Sequence, residues 1–95
     1  MPYISQAARE ELDSEKRPPE TSGELNYVIT TKLIEYVLAN GYRYSIFNDV
    51  LGALEGAKEE FYSRVVAEYE DRKIEQNGDV YGELFEFRDR GGEAG

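Results

Sequence analysis

The stretch that decides the fold is SIFNDVLGALEGAKEEFYSRVVAEYEDRKIEQ, residues 45–76. Its apolar residues recur every three or four positions without an intervening proline: Phe47, Val50, Leu51, Leu54, Ala57, Phe61, Val65 and Tyr69. That spacing puts them on one face of an α-helix. Ser45 is the predicted N-cap, and Gln76-Asn77-Gly78 is the first stop signal. The stretch therefore predicts one amphipathic helix about 45 Å long, at about 1.5 Å per residue.

A second helix is predicted to precede it, over residues 21–40. Thr21 and Glu24 fit a capping box, in which the Thr21 oxygen accepts from the Glu24 amide and the Glu24 carboxylate reaches back. β-Branched residues within this span leave a strand as the alternative, but the capping box and the length favour a helix. Asn40-Gly41 ends it. Only residues 42–44 separate the two helices, which predicts an antiparallel helical hairpin.

The flanking segments complete an all-α prediction. Ser5 is placed to cap a short N-terminal helix, and residues 13–22, with Pro18-Pro19, are typical of an exposed linker. Residues 80–88 are apolar enough to dock, either as a strand or as a helical turn. We therefore expect one helical domain over residues 1–81 and a C-terminal extension over 82–95, disordered from residue 89 onward.

The composition favours a binding protein over an enzyme. The 95-residue chain has a net charge of −9 and contains neither Cys nor His. Disulfides, zinc fingers and His-based catalysis are thereby excluded, and we expect no cofactor and no metal site. The acidic balance opposes direct DNA or RNA binding, and no apolar run approaches the ~18 residues of a membrane span. We expect a cytoplasmic protein without a signal peptide. The alternative to a binding protein is a structural or assembly protein, and an enzyme using only Glu and Tyr is the third possibility.

Small residues within the long helix indicate close packing. Two glycines inside a helix each cost about 1 kcal/mol relative to Ala, so a neighbouring backbone should favour them, with contact to a ligand or a hinge as the alternatives. The preceding helix covers only about half of the long helix, and the uncovered half needs the C-terminal segment or a second subunit. We predict a homodimer or higher oligomer, and helix-packing or oligomer contacts at Gly52, Ala53, Gly56, Ala57, Phe61, Val65 and Tyr69.

A ligand or partner site is predicted around the connection between the helices. Tyr42, Arg43 and Tyr44 concentrate two aromatic rings and a guanidinium, a group able to stack on and neutralise a nucleotide. Lys58, Tyr62 and Arg64 are further candidates along the long helix. The acidic surface is interpreted as a solvated face, with mimicry of nucleic acid as the alternative.

Several runs together resemble a family of short proteins of unknown function encoded by bacteriophages and prophages. The resemblance rests on residues 1–4 (MPYI), 23–27 (GELNY), 48–55 (NDVLGALE), 57–58 (AK), 60–62 (EFY), 69–71 (YED) with Lys73, and 77–81 (NGDVY). It implies no established activity. It implies a phage setting, in which such proteins act as accessory or counter-defence factors that bind a host protein or sequester a nucleotide signal. Where the family is expected to have Pro, this chain has Glu68, which favours one continuous helix.

Overall fold

The structure, a computed structural model, describes residues 1–93, and every regular element in that range is helical. The elements are α1 (Gln6–Asp13), α2 (Ser22–Asn40), α3 (Tyr44–Phe61), a π-helical turn (Tyr62–Val66), α4 (Ala67–Asn77) and α5 (Gly82–Asp89). The predicted all-α class is confirmed. Residues 80–88, left open between strand and helix, supply most of α5. The sequence predicts disorder from residue 89 onward, whereas in the structure Asp89 is the last residue of α5. Residues 94–95 lie outside the described range.

The long helix is confirmed. α3, the π-turn and α4 follow one another without a break from Tyr44 to Asn77. The Arg43 carbonyl accepts hydrogen bonds from the amides of Ile46 (3.0 Å) and Phe47 (3.1 Å), so Arg43 takes the N-cap position and the helix begins at Tyr44. The N-cap role predicted for Ser45 is therefore wrong, because Ser45 already lies within the first turn.

The chain divides into two compact units, Met1–Leu54 and Glu55–Gly95, each described by itself. In the first unit, α1 packs against α2. The Ser5 hydroxyl caps α1 by accepting from the Ala8 amide at 3.2 Å. Leu12 and Ile46 are buried, and they are the only buried side chains between residues 1 and 93. So small a core leaves much of the stabilisation to polar contacts.

The start of α2 has the predicted Thr21 cap, but the reciprocal contact of the capping box is shifted by one residue to the Glu20 amide. The Thr21 hydroxyl accepts from the Glu24 amide at 3.1 Å, and the Glu24 carboxylate accepts from the Glu20 amide at 3.0 Å. The N-terminal residues pass close to this helix end, since a Cβ added at Gly23 would lie 3.2 Å from the Met1 carbonyl oxygen. The glycine thus allows the chain to cross the first turn of α2.

A single arginine ties the linker to both helices. Arg17 donates from Nε to Glu11 at 2.6 Å and, through both terminal nitrogens, to Glu24 at 2.6 and 2.9 Å. The paired geometry with Glu24 is the bidentate form that makes guanidinium–carboxylate contacts strong and directional. The linker remains largely exposed, but Arg17 fixes its path from α1 to α2.

The hairpin contacts are confined to the turn. The Tyr36 hydroxyl donates to Asp49 at 3.1 Å, and the Tyr42 ring meets the Phe47 ring edge-on. From Leu51 onward every residue of α3 is exposed. α3 therefore does not pack on α2 through its small residues, and the oligomer contacts predicted for them stay a prediction. Beside the turn the rings of Tyr42 and Phe47 contact each other, whereas small residues gain by packing only where two backbones approach closely.

None of the helices described between residues 1 and 93 has both the length and the apolar character needed to cross a membrane.

We predict that the ion pair of Arg17 and Glu24 makes folding sensitive to acid. The hydrogen bonds from Arg17, and then that from the Glu20 amide, lower the pKa of Glu24 from 4.5 to about 2. A depressed carboxyl pKa stabilises the fold above the unfolded value and loses that contribution as the pH falls from about 4.5 towards 2. Glu24→Gln should therefore lower the melting temperature at pH 7, and the difference from wild type should shrink below pH 4.5.

The matched control is Glu10→Gln, on α1, whose carboxylate makes no ion pair in the described part of the chain. It should leave the pH profile parallel to that of wild type. A gap between wild type and Glu24→Gln that stays constant from pH 7 to pH 3 would contradict the assignment.

Candidate binding surfaces

The three residues of the predicted corner site do not form one stacking platform. Tyr42 lies edge-on to Phe47, with ring centroids 4.9 Å apart and planes at 80°. Tyr44 opens α3 and is exposed. The Arg43 guanidinium lies over Gly41, where any added Cβ would collide with it and where φ is +117°. Arg43 therefore covers the end of α2, and of the two tyrosine rings only that of Tyr42 contacts another aromatic ring in the described chain.

An apolar groove lies beside this corner, within the first unit. It encloses about 350 Å³ and is lined by Leu33, Ile34, Val37, Leu38, Tyr42 and Phe47. We call these six residues the corner groove. No lining residue carries a charge. The groove is thus a surface for apolar side chains rather than for an anion.

The predicted cations are dispersed. Arg43 belongs to the first unit, whereas Lys58 and Arg64 belong to the second. Lys58 lies 4.0 Å from the Glu55 carboxylate. Arg64 is six residues further on, which places the two cations on different faces of the helix. Within neither unit does the structure bring two of these cations to one site.

The π-turn changes which residues of the long helix share a face. The Ala67 amide bonds to the Tyr62 carbonyl, five residues back, so this turn holds one extra residue. In an unbroken α-helix, residues eight apart are about 80° out of line, at roughly 100° per residue. The extra residue removes that offset, and the Tyr62 hydroxyl reaches the Glu70 carboxylate at 3.1 Å across eight positions.

The same turn straightens an apolar stripe in the second unit. Phe61 and Tyr69 are also eight residues apart across the turn, with Val65 between them. These three residues, which we call the helix stripe, are 62%, 51% and 61% exposed. No residue of the second unit is buried among those the structure describes. The stripe therefore offers a continuous apolar surface without a covering partner in the described chain.

The glycines predicted to pack closely face open space. A Cβ added at Gly52 or at Gly56 would meet no atom within 4 Å in the described chain. Gly56 lies five residues before Phe61, about 140° around the helix axis. Ala57, four residues before Phe61, is the member of the small-residue run that borders the helix stripe. The glycines are thus separate from that stripe.

The electrostatics of the tyrosines do not favour acid–base catalysis. A hydrogen bond to Asp49 raises the pKa of Tyr36, and a hydrogen bond to Glu70 raises the pKa of Tyr62. A tyrosine acting as a base at neutral pH requires a lowered pKa. Residues 1–93 also contain no cluster of three or more carboxylates able to hold a metal ion.

The comparison with known families covers most of the chain. The family described as Domain of unknown function (DUF6899) matches residues 1–80. The chain belongs to the DUF6899 family. No curated protein and no solved structure matches it.

The family match determines which surfaces belong to the shared domain. The corner groove and the helix stripe both fall within residues 1–80 of the DUF6899 domain. α5 begins at Gly82 and lies beyond the match. In α5, Tyr81 at the N-cap stacks on Phe85 at 6.1 Å, and the Arg88 guanidinium lies 4.8 Å from the same ring. These contacts of Phe85 with Tyr81 and Arg88 stabilise α5 from within its own segment of the chain.

Sequence reasoning missed the residues that organise these surfaces. Arg17 lies between two charged residues and two prolines, and nothing in its local pattern distinguishes it from a solvated cation. The sequence gives only an indirect indication of the π-turn. Phe61, Val65 and Tyr69 are spaced four residues apart over two turns, and in a regular α-helix residues at that spacing would not stay on one line along the helix.

We predict that Gly56→Ala stabilises the protein. The position is helical and open, so the substitution gains about 1 kcal/mol of helix propensity without steric cost. Thermal unfolding should show a higher melting temperature and light scattering an unchanged mass. Gly78→Ala is the control, because Gly78 has φ of +89° and the same change there should destabilise. A loss of stability at Gly56 would show that another surface packs against it.

We also predict that the Tyr62 hydroxyl supports the π-turn. Tyr62→Phe removes the bond to Glu70 and should lower the melting temperature and speed amide hydrogen exchange over residues 62–70. Tyr44→Phe is the control, since Tyr44 is exposed, lies outside the helix stripe and makes no hydroxyl hydrogen bond in the described chain. Equal effects of the two variants would contradict a specific role for this bond.

Proposed function

We propose that this DUF6899 protein is a non-enzymatic binding protein that self-associates through the helix stripe. The observation that carries the proposal is the exposed line of Phe61, Val65 and Tyr69 in a unit without a buried residue among those described. A chain segment of this size rarely builds a sufficient core alone, and the sequence has no Cys with which to cross-link it. Association with a second copy supplies the missing apolar contacts.

The energetics support a protein partner. Burial of each large apolar side chain contributes about 1.5–3 kcal/mol, so one line of three residues on each of two copies provides a substantial gross gain. Aromatic residues such as Phe61 and Tyr69 are enriched at the centres of interfaces. Val65 lies between them, which makes it the position where a charge should be tolerated least.

Charge restricts how two copies can meet. Each chain has a net charge of −9, so two copies repel one another at long range. Beside the stripe, Arg72 pairs with Glu68 at 2.6 Å and partly neutralises that flank. The association should therefore strengthen with added salt, because salt screens the exposed charges while leaving apolar burial intact.

The biological setting is proposed from the resemblance to phage-encoded proteins. In that setting the assembled protein acts in the host cytoplasm as an accessory or counter-defence factor and binds a host protein. Sequestration of a nucleotide signal is a weaker proposal, because Arg43, Lys58 and Arg64 do not converge within either unit. Acidic mimicry of nucleic acid retains support from 20 acidic against 11 basic residues.

The proposal is tested by light scattering on purified wild-type protein and on Val65→Glu. Wild type should have a mass that is a multiple of the chain mass of 10.9 kDa. Val65→Glu should lower the measured mass to fewer chains per assembly, since burying an unpaired carboxylate within an apolar contact is costly. Ser63→Glu is the control, because it adds the same charge in the same turn on the other side of the helix.

Two results would overturn the proposal. One is a wild-type mass of 10.9 kDa at high protein concentration. The other is a Val65→Glu mass equal to that of wild type, with both proteins folded by circular dichroism. A loss of mass in Ser63→Glu as well would show that added charge, rather than the helix stripe, controls association.

A further inference from the structure

We propose that Asn77, at the end of α4, is a site of spontaneous deamidation, which converts its side chain to aspartate and isoaspartate. The chain contains the dipeptide Asn-Gly twice, at residues 40–41 and 77–78. The structure places both dipeptides at the end of a helix but protects only the first of them. The modification goes beyond the proposed function, because it uses no residue of the helix stripe.

The reaction is intramolecular and needs only water. The main-chain nitrogen of Gly78 loses its proton to hydroxide and forms a bond with Cγ of Asn77. The bond between Cγ and Nδ2 breaks, and ammonia leaves with a proton from water, which restores the hydroxide. The succinimide ring so formed adds one water and opens at either carbonyl, giving aspartate or isoaspartate. A following glycine favours ring closure, because no Cβ crowds the attacking nitrogen.

The two dipeptides share one backbone setting. Each asparagine is the last residue of its helix, and each glycine is the C-cap with positive φ. The Gly41 amide donates to the Val37 carbonyl at 2.8 Å, and the Gly78 amide donates to the Ile74 carbonyl at the same distance. In both places the last turn must therefore open before the glycine nitrogen can attack. Helix ends are among the parts of a protein that open most readily.

Asn40 is held by contacts that Asn77 lacks. Nδ2 of Asn40 donates to the Tyr36 carbonyl at 2.9 Å, and this bond must break before the side chain can turn towards Gly41. The Arg43 guanidinium lies over Gly41, which is only partly exposed. The end of α2 is thus closed by two contacts in addition to its C-cap hydrogen bond.

Asn77 is free to turn towards its glycine. Of the two asparagines, only Asn40 uses its side chain in a hydrogen bond within the described chain. A Cβ added at Gly78 would meet no atom within 4 Å, and every residue of α4 from Glu68 onward is exposed. The Asp79 carboxylate accepts from the Tyr81 amide at 2.8 Å. The C-cap bond from Gly78 is therefore the one contact in the described chain that opposes the reaction.

The products change both charge and chain path where the family domain meets α5. Asn77 lies within residues 1–80 of the family match, and α5 begins at Gly82. A carboxylate in the last turn of a helix opposes the helix macrodipole. Isoaspartate also adds one carbon to the main chain, which displaces the Gly78 amide from its acceptor. Both products should therefore loosen the last turn of α4.

The test follows both dipeptides by mass spectrometry of peptides from wild-type protein incubated at mildly alkaline pH. Asn77 should convert roughly fivefold faster than Asn40, the factor that corresponds to one net hydrogen bond. The rate at Asn77 should rise with pH, because the glycine nitrogen must lose a proton. Asn77→Gln is the control and should abolish conversion at that position, since glutamine would have to close a larger ring that forms more slowly.

A denatured sample separates the effect of the fold from that of the dipeptide. In strong denaturant both asparagines should convert at similar rates, because each is then an unrestrained Asn-Gly. Equal rates in the folded protein, or faster conversion at Asn40, would overturn the proposal. So would an unchanged Asn77 in folded protein over a period in which the denatured protein is converted. Circular dichroism before and after incubation establishes that the folded sample stays folded.

Discussion

The shortage of buried apolar surface is the constraint on which the rest of this structure depends. Between residues 1 and 93 only Leu12 and Ile46 are buried, so no central core holds the helices in place. Arg17 takes over part of that role, because its guanidinium joins Glu11 at the end of α1 to Glu24 at the start of α2. In place of a core, the first unit relies on directional polar contacts between neighbouring helix ends.

Tyrosine hydroxyls extend this polar framework along the chain. Tyr27 donates to Asp13 at 2.9 Å, and burial and this contact together raise the pKa of Tyr27. Tyr62 donates to Glu70, which is possible only because the π-turn aligns residues eight positions apart. The turn that permits this bond also aligns the helix stripe, so one local irregularity both stabilises the second unit and shapes its apolar surface.

The sequence predicts those features that depend on local chemistry. The long helix, the caps at Ser5 and Thr21, and the all-α class all follow from short-range spacing and capping residues. Gly52 and Gly56 meet no other helix in the described chain, so the oligomer contact predicted for them stays a prediction: a glycine pair allows a close approach but does not specify the partner. The pairing of Arg17 with Glu24 joins residues that no periodic pattern relates, and it therefore emerges only from the structure.

The acidic charge and the exposed apolar surface constrain one another. A net charge of −9 opposes the aggregation that exposed Leu38, Tyr42, Phe61 and Tyr69 would otherwise promote, since like charges keep copies apart unless apolar patches meet face to face. Charge repulsion between two copies therefore disfavours most of their relative orientations and leaves those in which surfaces without carboxylates face each other. Specific self-association requires such selection, because hydrophobic burial alone does not distinguish one orientation from another. For the proposed self-association, the acidic composition thus favours one ordered contact over indiscriminate aggregation.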